Sequence, residues 1–187
     1  MKILGISGSL REASHNTQLL RAAARLAPAG AELEIVPAAL LKAVPPYDQD
    51  DDVPGEPPAA VARLRELVEG ADAVLVATPE YNSSLPGQLK NALDWLSRPI
   101  AESPFRNKPA AVVGGSTGMF GGVWAQEEGR KVLGALGARV IGGTIPFPRI
   151  HEGFTAGGTI ADDDLAAGLL RLLAELVDEA RVRQLAA

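Results

Sequence analysis

Cysteine is absent from this sequence of 187 residues. Its absence excludes disulfide bonds, thiolate metal ligands, a cysteine nucleophile and cysteine-based redox chemistry. Any redox reaction must therefore depend on a cofactor. Histidine is almost absent as well, and the two that occur, His15 and His151, are too few and too far apart in sequence to predict a tetrahedral zinc site. We expect no metal in the functional site.

The sequence also lacks an excess of basic residues and any long hydrophobic run. Its formal net charge is -5, so we expect no basic surface of the kind that neutralises nucleic-acid phosphates. No run of about 18 apolar residues occurs that would predict a membrane-spanning helix. The first residues, MKILGIS, contain one lysine and too short an apolar run for a signal peptide. We expect a cytoplasmic protein with neither a nucleic-acid nor a membrane partner.

Short apolar runs alternate along the chain with longer segments of helical periodicity. This alternation predicts a single domain over residues 1–187, in which helices cover both faces of a parallel sheet. Five strands suit the flavodoxin-like order 2-1-3-4-5, an α/β sandwich of three layers. The predicted strands are residues 2–6, 32–36, 73–78, 110–115 and 138–143, and the predicted helices are residues 17–26, 58–69, 86–97, 122–136 and 162–183. Asn16, Ser84 and Asp162 are candidate helix N-caps or near-caps.

The most informative segment is TPEYNSSLPGQLKNALDW, residues 78–95, which follows the third predicted strand. That strand is apolar throughout, as expected when both faces of a parallel sheet are covered, so a ligand site should lie beyond its carboxyl end. The turn formed by Pro79, Glu80, Tyr81 and Asn82 lies there, and its backbone groups suit the edge of a flat heterocycle. We expect Trp95, on the helix that follows, to pack in the core.

A second candidate segment is GISGSLREASHNT, residues 5–17, between the first strand and the first helix. Helix-start N–H groups, several hydroxyls and the Arg11 guanidinium predict a receptor for a terminal phosphate. Neither the Gly-Lys pair of a Walker A loop nor the G-x-G-x-x-G dinucleotide fingerprint occurs in the chain. A serine-rich helix cap with no ligand remains the alternative interpretation.

A third segment, GGSTGMFGGVWAQ, follows the fourth strand at residues 114–126. Five glycines in the first nine of these residues allow the backbone to approach a ligand closely. The segment also matches G-x-S-x-G around Ser116, with an acid and then His151 downstream, which is the chain order of a serine hydrolase. Against a hydrolase, a nucleophile elbow should lead directly into a helix, and no HGGG-type oxyanion segment is present.

An acidic, proline-rich segment, PPYDQDDDVPGEPP, occupies residues 45–58. Asp48, Asp50 and Asp52 match the first three ligand positions of an EF-hand loop. However, Val53 stands where the loop needs glycine, and Ala59 stands where it needs a bidentate glutamate. The segment is therefore interpreted as an exposed loop.

Taken together, GSLREASHN, PEYNSSLPGQLKNALDW and GGSTGMFGG closely resemble the NADPH-dependent FMN reductases, which include bacterial quinone, chromate and azo-dye reductases. The resemblance covers residues 2–140, and its most specific part is the second motif. It implies a flavodoxin-like fold, non-covalently bound FMN, and a dimer or tetramer with flavin sites near subunit boundaries. The glycine-rich residues 153–165 do not map onto the family.

The resemblance also implies roles for individual residues. The FMN phosphate would contact Ser9, Arg11, Ser14, Asn16 and Thr17. The isoalloxazine ring would contact Pro79, Glu80, Tyr81 and Asn82 on one side, and Gly115, Ser116 and Gly118 on the other.

The implied reaction is a ping-pong cycle in which hydride passes from NADPH or NADH to FMN and then to a quinone, a free flavin, an azo compound or a chromate-like acceptor. No side chain need act as a nucleophile. Tyr81 would wall the open face, and Arg98 would attract anionic acceptors. A flavodoxin-type single-electron carrier and a serine hydrolase using Ser116 remain alternatives.

Overall fold

The structure, a computed structural model, describes residues 1–185. Its strands are β1 (Lys2–Ser7), β2 (Glu32–Ile35), β3 (Ala73–Thr78), β4 (Pro109–Gly115), β5 (Arg139–Val140) and β6 (Pro146–Phe147). Its α-helices are α1 (His15–Leu26), α2 (Ala38–Ala43), α3 (Ala59–Glu69), α4 (Gly87–Leu96), α5 (Val123–Ala135) and α6 (Asp163–Leu185). Three short 3₁₀ segments, Gln49–Asp51, Ile100–Glu102 and Ile150–Glu152, lie in the connections.

The sheet has the strand order β2-β1-β3-β4-β5, and every strand pair in it is parallel. This confirms the predicted flavodoxin-like order. All residues of β3 and β4 are buried, as expected for central strands covered on both faces. One face packs on α1 and α6, and the other packs on α2, α3, α4 and α5.

The fifth strand differs from the prediction for residues 138–143. Only Arg139 and Val140 pair with the start of β4, and β6 pairs with its end at Gly114 and Gly115. The Gln126 side chain of α5 fills the gap: its amide donates to Gly114 O at 3.0 Å and to Ile145 O at 3.0 Å, and accepts from Ile145 N at 3.1 Å. A buried side chain thus replaces the backbone partner that a continuous strand would supply.

Of the three residues predicted as helix N-caps or near-caps, one is a cap and two are not. Asp162 does cap α6, accepting from Leu165 N at 3.0 Å. In α1, however, Ser14 is the cap and accepts from Thr17 N at 3.2 Å, while Asn16 lies inside the helix. Ser84 is not a cap either, because Pro86 precedes α4 and the Ser84 hydroxyl donates to Glu128.

Helix α2 is missing from the sequence prediction. It has six residues and lies directly after Pro37, between β2 and the acidic segment. So short a helix contains too few turns for its hydrophobic periodicity to be distinguished from a loop.

Candidate functional site

An open cleft of about 360 Å³ lies at the carboxyl edge of the sheet, where β1, β3 and β4 end. This is where an α/β protein with parallel strands is expected to bind a ligand. All the cofactor-binding residues proposed from the sequence line the cleft except Thr17, Asn82 and Gly118. Three further residues, His15, Thr117 and Ile150, line the cleft without having been predicted. The lining residues are Ser9, Arg11, Ser14, His15, Asn16, Pro79, Glu80, Tyr81, Gly115, Ser116, Thr117 and Ile150.

Loop β1–α1 contributes the start of helix α1. The N–H groups of His15 and Asn16 lie in the first helical turn, where the helix itself offers no acceptor. Beside them are the Ser14 hydroxyl, the Ser9 hydroxyl and the exposed side chain of Arg11. Backbone donors, hydroxyls and a guanidinium at the positive end of a helix suit a phosphate group.

Asn16 does not offer its amide to the cleft. The side chain is 4% exposed. Its Nδ2 donates to Gly115 O at 3.0 Å, and its Oδ1 accepts from Gly115 N at 3.0 Å. The Thr17 hydroxyl is similarly engaged, 2.8 Å from the Ser7 hydroxyl. The Asn16 side chain therefore holds the backbone of Gly115 in place, and the contribution of Asn16 to a ligand is limited to its N–H.

The glycines of loop β4–α5 allow this loop to lie close to its neighbours. A Cβ atom at Gly114 would lie 2.1 Å from Thr78 O, so only glycine fits beside the end of β3. Gly122 has φ +75°, a conformation that residues with a Cβ rarely adopt, and it leads into α5.

Loop β3–α4 begins at Pro79 and turns sharply. Tyr81 N donates to Ser84 O at 3.0 Å, and Ser84 N donates to Tyr81 O at 3.1 Å. The central residues, Asn82 and Ser83, have φ of +53° and +61°, as in a two-residue hairpin turn of type I′. Asn82 is not part of the cleft lining, whereas Tyr81, 52% exposed, is.

Two glutamates join this loop to α5. Glu80 Oε2 accepts from Trp124 N at 3.0 Å and from Ala125 N at 3.2 Å. Glu128 Oε2 accepts from the Ser84 hydroxyl at 2.5 Å and from Leu85 N at 3.0 Å, and these hydrogen bonds lower the pKa of Glu128. The two walls of the cleft are thereby fixed relative to each other.

The hydrolase alternative has no geometric support. Helix α5 starts at Val123, seven residues after Ser116, so Ser116 is not on a strand-to-helix elbow. His151 contacts Glu152, with Nε2 3.3 Å from Oε1, and the hydrogen bonds of residues 1–185 include none between Ser116 and His151.

Arg98 lies away from the cleft, contrary to its proposed substrate role. It follows α4, and a helix that connects parallel strands runs antiparallel to them, so its carboxyl end reaches the opposite edge of the sheet. There Arg98 Nε lies 3.5 Å from Asp52 Oδ2.

Two of the four aspartates in the acidic segment, Asp48 and Asp52, accept hydrogen bonds within the protein. Asp48 Oδ1 accepts from Asp50 N at 3.0 Å, and Asp52 Oδ2 accepts from the Tyr47 hydroxyl at 3.3 Å. Across residues 1–185, no group of three or more histidine, aspartate or glutamate side chains is placed to hold a metal. Nor is any helix in that range long and apolar enough to cross a membrane.

A larger concavity, of about 610 Å³, lies at the opposite edge of the sheet. Its lining includes Lys2 and Glu34, which form an ion pair at 2.7 Å, and Asp72, which accepts from Lys2 N at 2.7 Å. This edge receives the amino ends of the strands, whereas ligands of parallel sheets bind at the carboxyl ends. The smaller cleft is therefore the candidate site.

The strand order and the cleft of three loops define a flavodoxin-like α/β protein with a ligand site at the carboxyl edge of its sheet. The model of the family described as NADPH-dependent FMN reductase matches residues 1–152. An NAD(P)H-dependent FMN reductase of Pseudomonas aeruginosa is 44% identical over 164 residues, which cover 87% of this chain and 86% of the relative. A quinone reductase of Escherichia coli is 38% identical over 141 residues, which cover 75% of this chain and 73% of the relative.

Among solved structures, the flavoenzyme NAD(P)H:(acceptor) oxidoreductase FerB from Paracoccus denitrificans is similar with a TM-score of 0.82 and 33% identity, covering 96% of this chain and 97% of that one. A flavodoxin from Pseudomonas aeruginosa has a TM-score of 0.57 at 19% identity and shows the fold alone. The chain belongs to the NADPH-dependent FMN reductase family. The predicted family, fold and enzyme class, an FMN-dependent NAD(P)H oxidoreductase, are confirmed.

Proposed function

We propose that the cleft binds FMN through the predicted residues that line it, and that the enzyme passes reducing equivalents from NAD(P)H to a quinone. The observation that supports this most strongly is the joining of three distant loops at one edge of the sheet, with hydroxyls, helix-start N–H groups and Arg11 at one end and Pro79, Tyr81 and the glycine-rich loop at the other. The quinone is proposed because several curated relatives are named quinone reductases.

The donor set at the start of α1 fits a phosphate monoester. The N–H groups of His15 and Asn16 and the hydroxyls of Ser9 and Ser14 would donate hydrogen bonds. Arg11, exposed at the same end of the cleft, would balance the negative charge. Among residues 1–185, the one carboxylate in the cleft lining, that of Glu80, is on loop β3–α4 and not beside these groups.

The other end of the cleft fits a planar ring. Pro79 and Tyr81 provide one wall, and the backbone of Gly115, Ser116 and Thr117 provides the other. When bound, FMN supplies the hydride-accepting chemistry that no side chain of this protein can supply. These residues would hold the ring in one orientation, and the open cleft would leave one side of it accessible to a nicotinamide and then to an acceptor.

We also propose that residues 1–187 form one cytoplasmic domain that assembles with a second copy. Support comes from exposed apolar side chains beside the cleft: Met119, Phe120 and Trp124 are 83%, 64% and 46% exposed. The rings of Phe120 and Trp124 are in contact, with centroids 5.1 Å apart and planes tilted by 57°. A patch of this kind on a monomer marks a contact surface, and sedimentation analysis of the purified protein measures its assembly.

The proposal is tested by stopped-flow spectroscopy of protein loaded with FMN. We expect flavin reduction on mixing with NADH or NADPH, and rapid reoxidation by a quinone. Free FMN, an azo dye and chromate are compared as acceptors. Protein that binds FMN but does not oxidise NAD(P)H in the presence of a quinone would favour an electron carrier. Protein that stays colourless after incubation with FMN would overturn the proposal.

A matched pair of variants tests the assigned phosphate end. Arg11→Ala should weaken FMN binding at least tenfold, because it removes a charged partner of the phosphate (about 1.4 kcal/mol). Arg21→Ala removes the same charge from an exposed position farther along α1 and should change binding little. Equal effects of the two substitutions would show that only the overall charge matters.

A further inference from the structure

Helix α5 receives its N-terminal cap from another loop. Its own capping position is Gly122, which is left-handed and has no side chain to accept a hydrogen bond. Glu80, on loop β3–α4, takes over this role by accepting from Trp124 N at 3.0 Å and Ala125 N at 3.2 Å. The second and third N–H groups of the helix are the donors that a capping side chain normally accepts from.

This contact brings a negative charge and a helix dipole together on the wall of the cleft. The N-terminus of an α-helix is equivalent to roughly half a positive charge, and α5, with 13 residues, is long enough to have this dipole. The full negative charge of the Glu80 carboxylate, at hydrogen-bond distance, is larger than this partial positive charge. Since Glu80 also lines the cleft, the electrostatic potential at this wall depends on the presence of the carboxylate.

We infer that Glu80 is a positioning residue that lowers the reduction potential of the bound flavin. This inference rests on the proposed function of the cleft. Two-electron reduction places additional negative charge on the flavin ring, and charges near the ring tune its electronics. A fixed carboxylate opposes that charge, whereas a bare helix N-terminus would stabilise it. Glu80 thus favours release of electrons to the acceptor.

Glu80→Gln separates charge from capping, because the amide oxygen of glutamine still accepts from the two N–H groups. In this variant, reduced FMN should bind more tightly relative to oxidised FMN by about tenfold, which corresponds to a rise of about 30 mV in the midpoint potential of a two-electron couple. The measurement is a spectroelectrochemical titration, together with dissociation constants of oxidised and reduced FMN.

Glu127→Gln is the matched control. Glu127 lies on the same helix and is exposed, and its carboxylate contacts the Thr144 hydroxyl outside the cleft lining. This substitution changes the net charge by the same amount and should leave the ratio of the two dissociation constants within twofold of wild type. An unchanged ratio in Glu80→Gln, or the same change in both variants, would overturn the inference.

A readout without flavin tests the capping contact. In the protein free of FMN, Glu80→Ala should shift the amide resonances of Trp124 and Ala125 and lower the melting temperature. Glu80→Gln should leave the amide resonances and the melting temperature close to those of wild type. Unshifted amides in Glu80→Ala would contradict the hydrogen bonds on which the inference depends. Failure of the wild type to bind FMN would overturn the proposed function and this inference together, whereas FMN binding with an unchanged ratio would overturn this inference alone.

Discussion

Asn16 and Gly115 are 99 positions apart in sequence and are joined by two hydrogen bonds of 3.0 Å. One side chain satisfies both the N–H and the C=O of a buried backbone residue. Because Asn16 lies in the first turn of α1 and Gly115 at the end of β4, this pair fixes the distance between the proposed phosphate end and the proposed ring wall of the cleft. The Asn16–Gly115 contact joins two loops that are distant in sequence.

Asn16→Asp should therefore destabilise both the protein and its FMN complex. The aspartate oxygen in place of Nδ2 would face Gly115 O and would leave that buried carbonyl without its donor, at a cost of about 2 kcal/mol. The measurement is urea denaturation with titration of FMN. Gln18→Glu makes the same chemical change two residues later and should have little effect on either quantity. Similar losses of stability and FMN affinity in both variants would contradict the role of the contact between Asn16 and Gly115.

Gly114→Ala should lower the free energy of unfolding by about 3 kcal/mol, since a Cβ would overlap Thr78 O between two buried central strands. Gly134→Ala is the control, because a Cβ there meets no atom within 4 Å and the position lies in helix α5. The free energy of unfolding of that variant should rise by about 0.5 kcal/mol or more, because alanine has a better helix propensity than glycine. Denaturation curves of the two variants should therefore move in opposite directions.

The stability of the protein without FMN should depend on the ionisation of Glu128. The Ser84 hydroxyl and the Leu85 N–H lower the pKa of Glu128, so the carboxylate contributes stability above its unfolded pKa, which is about 4.3. That contribution is lost as the pH falls through the folded pKa. The melting temperature of Glu128→Gln should lie below that of wild type at pH 7, and the two should converge in acid. A constant difference at all pH values would contradict this expectation.

Arg98→Ala should change KM little, and by the same factor, for chromate and for a neutral quinone. Arg98 lies at the opposite edge of the sheet from the cleft and faces Asp52, so its charge is screened from an acceptor at the ring. Steady-state kinetics with both acceptors check this. A selective rise in KM for the anionic acceptor would restore the substrate role that the sequence suggested.

The strand order and most of the cleft lining could be predicted because they depend on local patterns. Apolar runs identify β3 and β4, and in a parallel sheet their carboxyl ends must meet at one edge. The family resemblance then selected residues in the loops that follow. Trp95, expected in the core, is 2% exposed and donates to Pro45 O at 2.9 Å.

The missed features depend on contacts between distant segments. Ile150 reaches the cleft from beyond β6, in a part of the chain with no recognisable motif. The roles of Asn16 and Gln126 follow from backbone partners that periodicity does not reveal. Arg98 was misplaced because the helix direction, and not the nearness of Arg98 to the PEYN motif in sequence, determines which edge it reaches.

The divided last strand has a consequence for assembly. An edge strand with a long row of exposed N–H and C=O groups can template strand addition by another molecule and so begin aggregation. Here that edge consists of β5 and β6, two residues each, and Pro146 has no N–H to donate. At the other edge, β2 has only four residues and exposes the charges of Glu32 and Glu34. Both borders of the sheet therefore disfavour fibril-like growth.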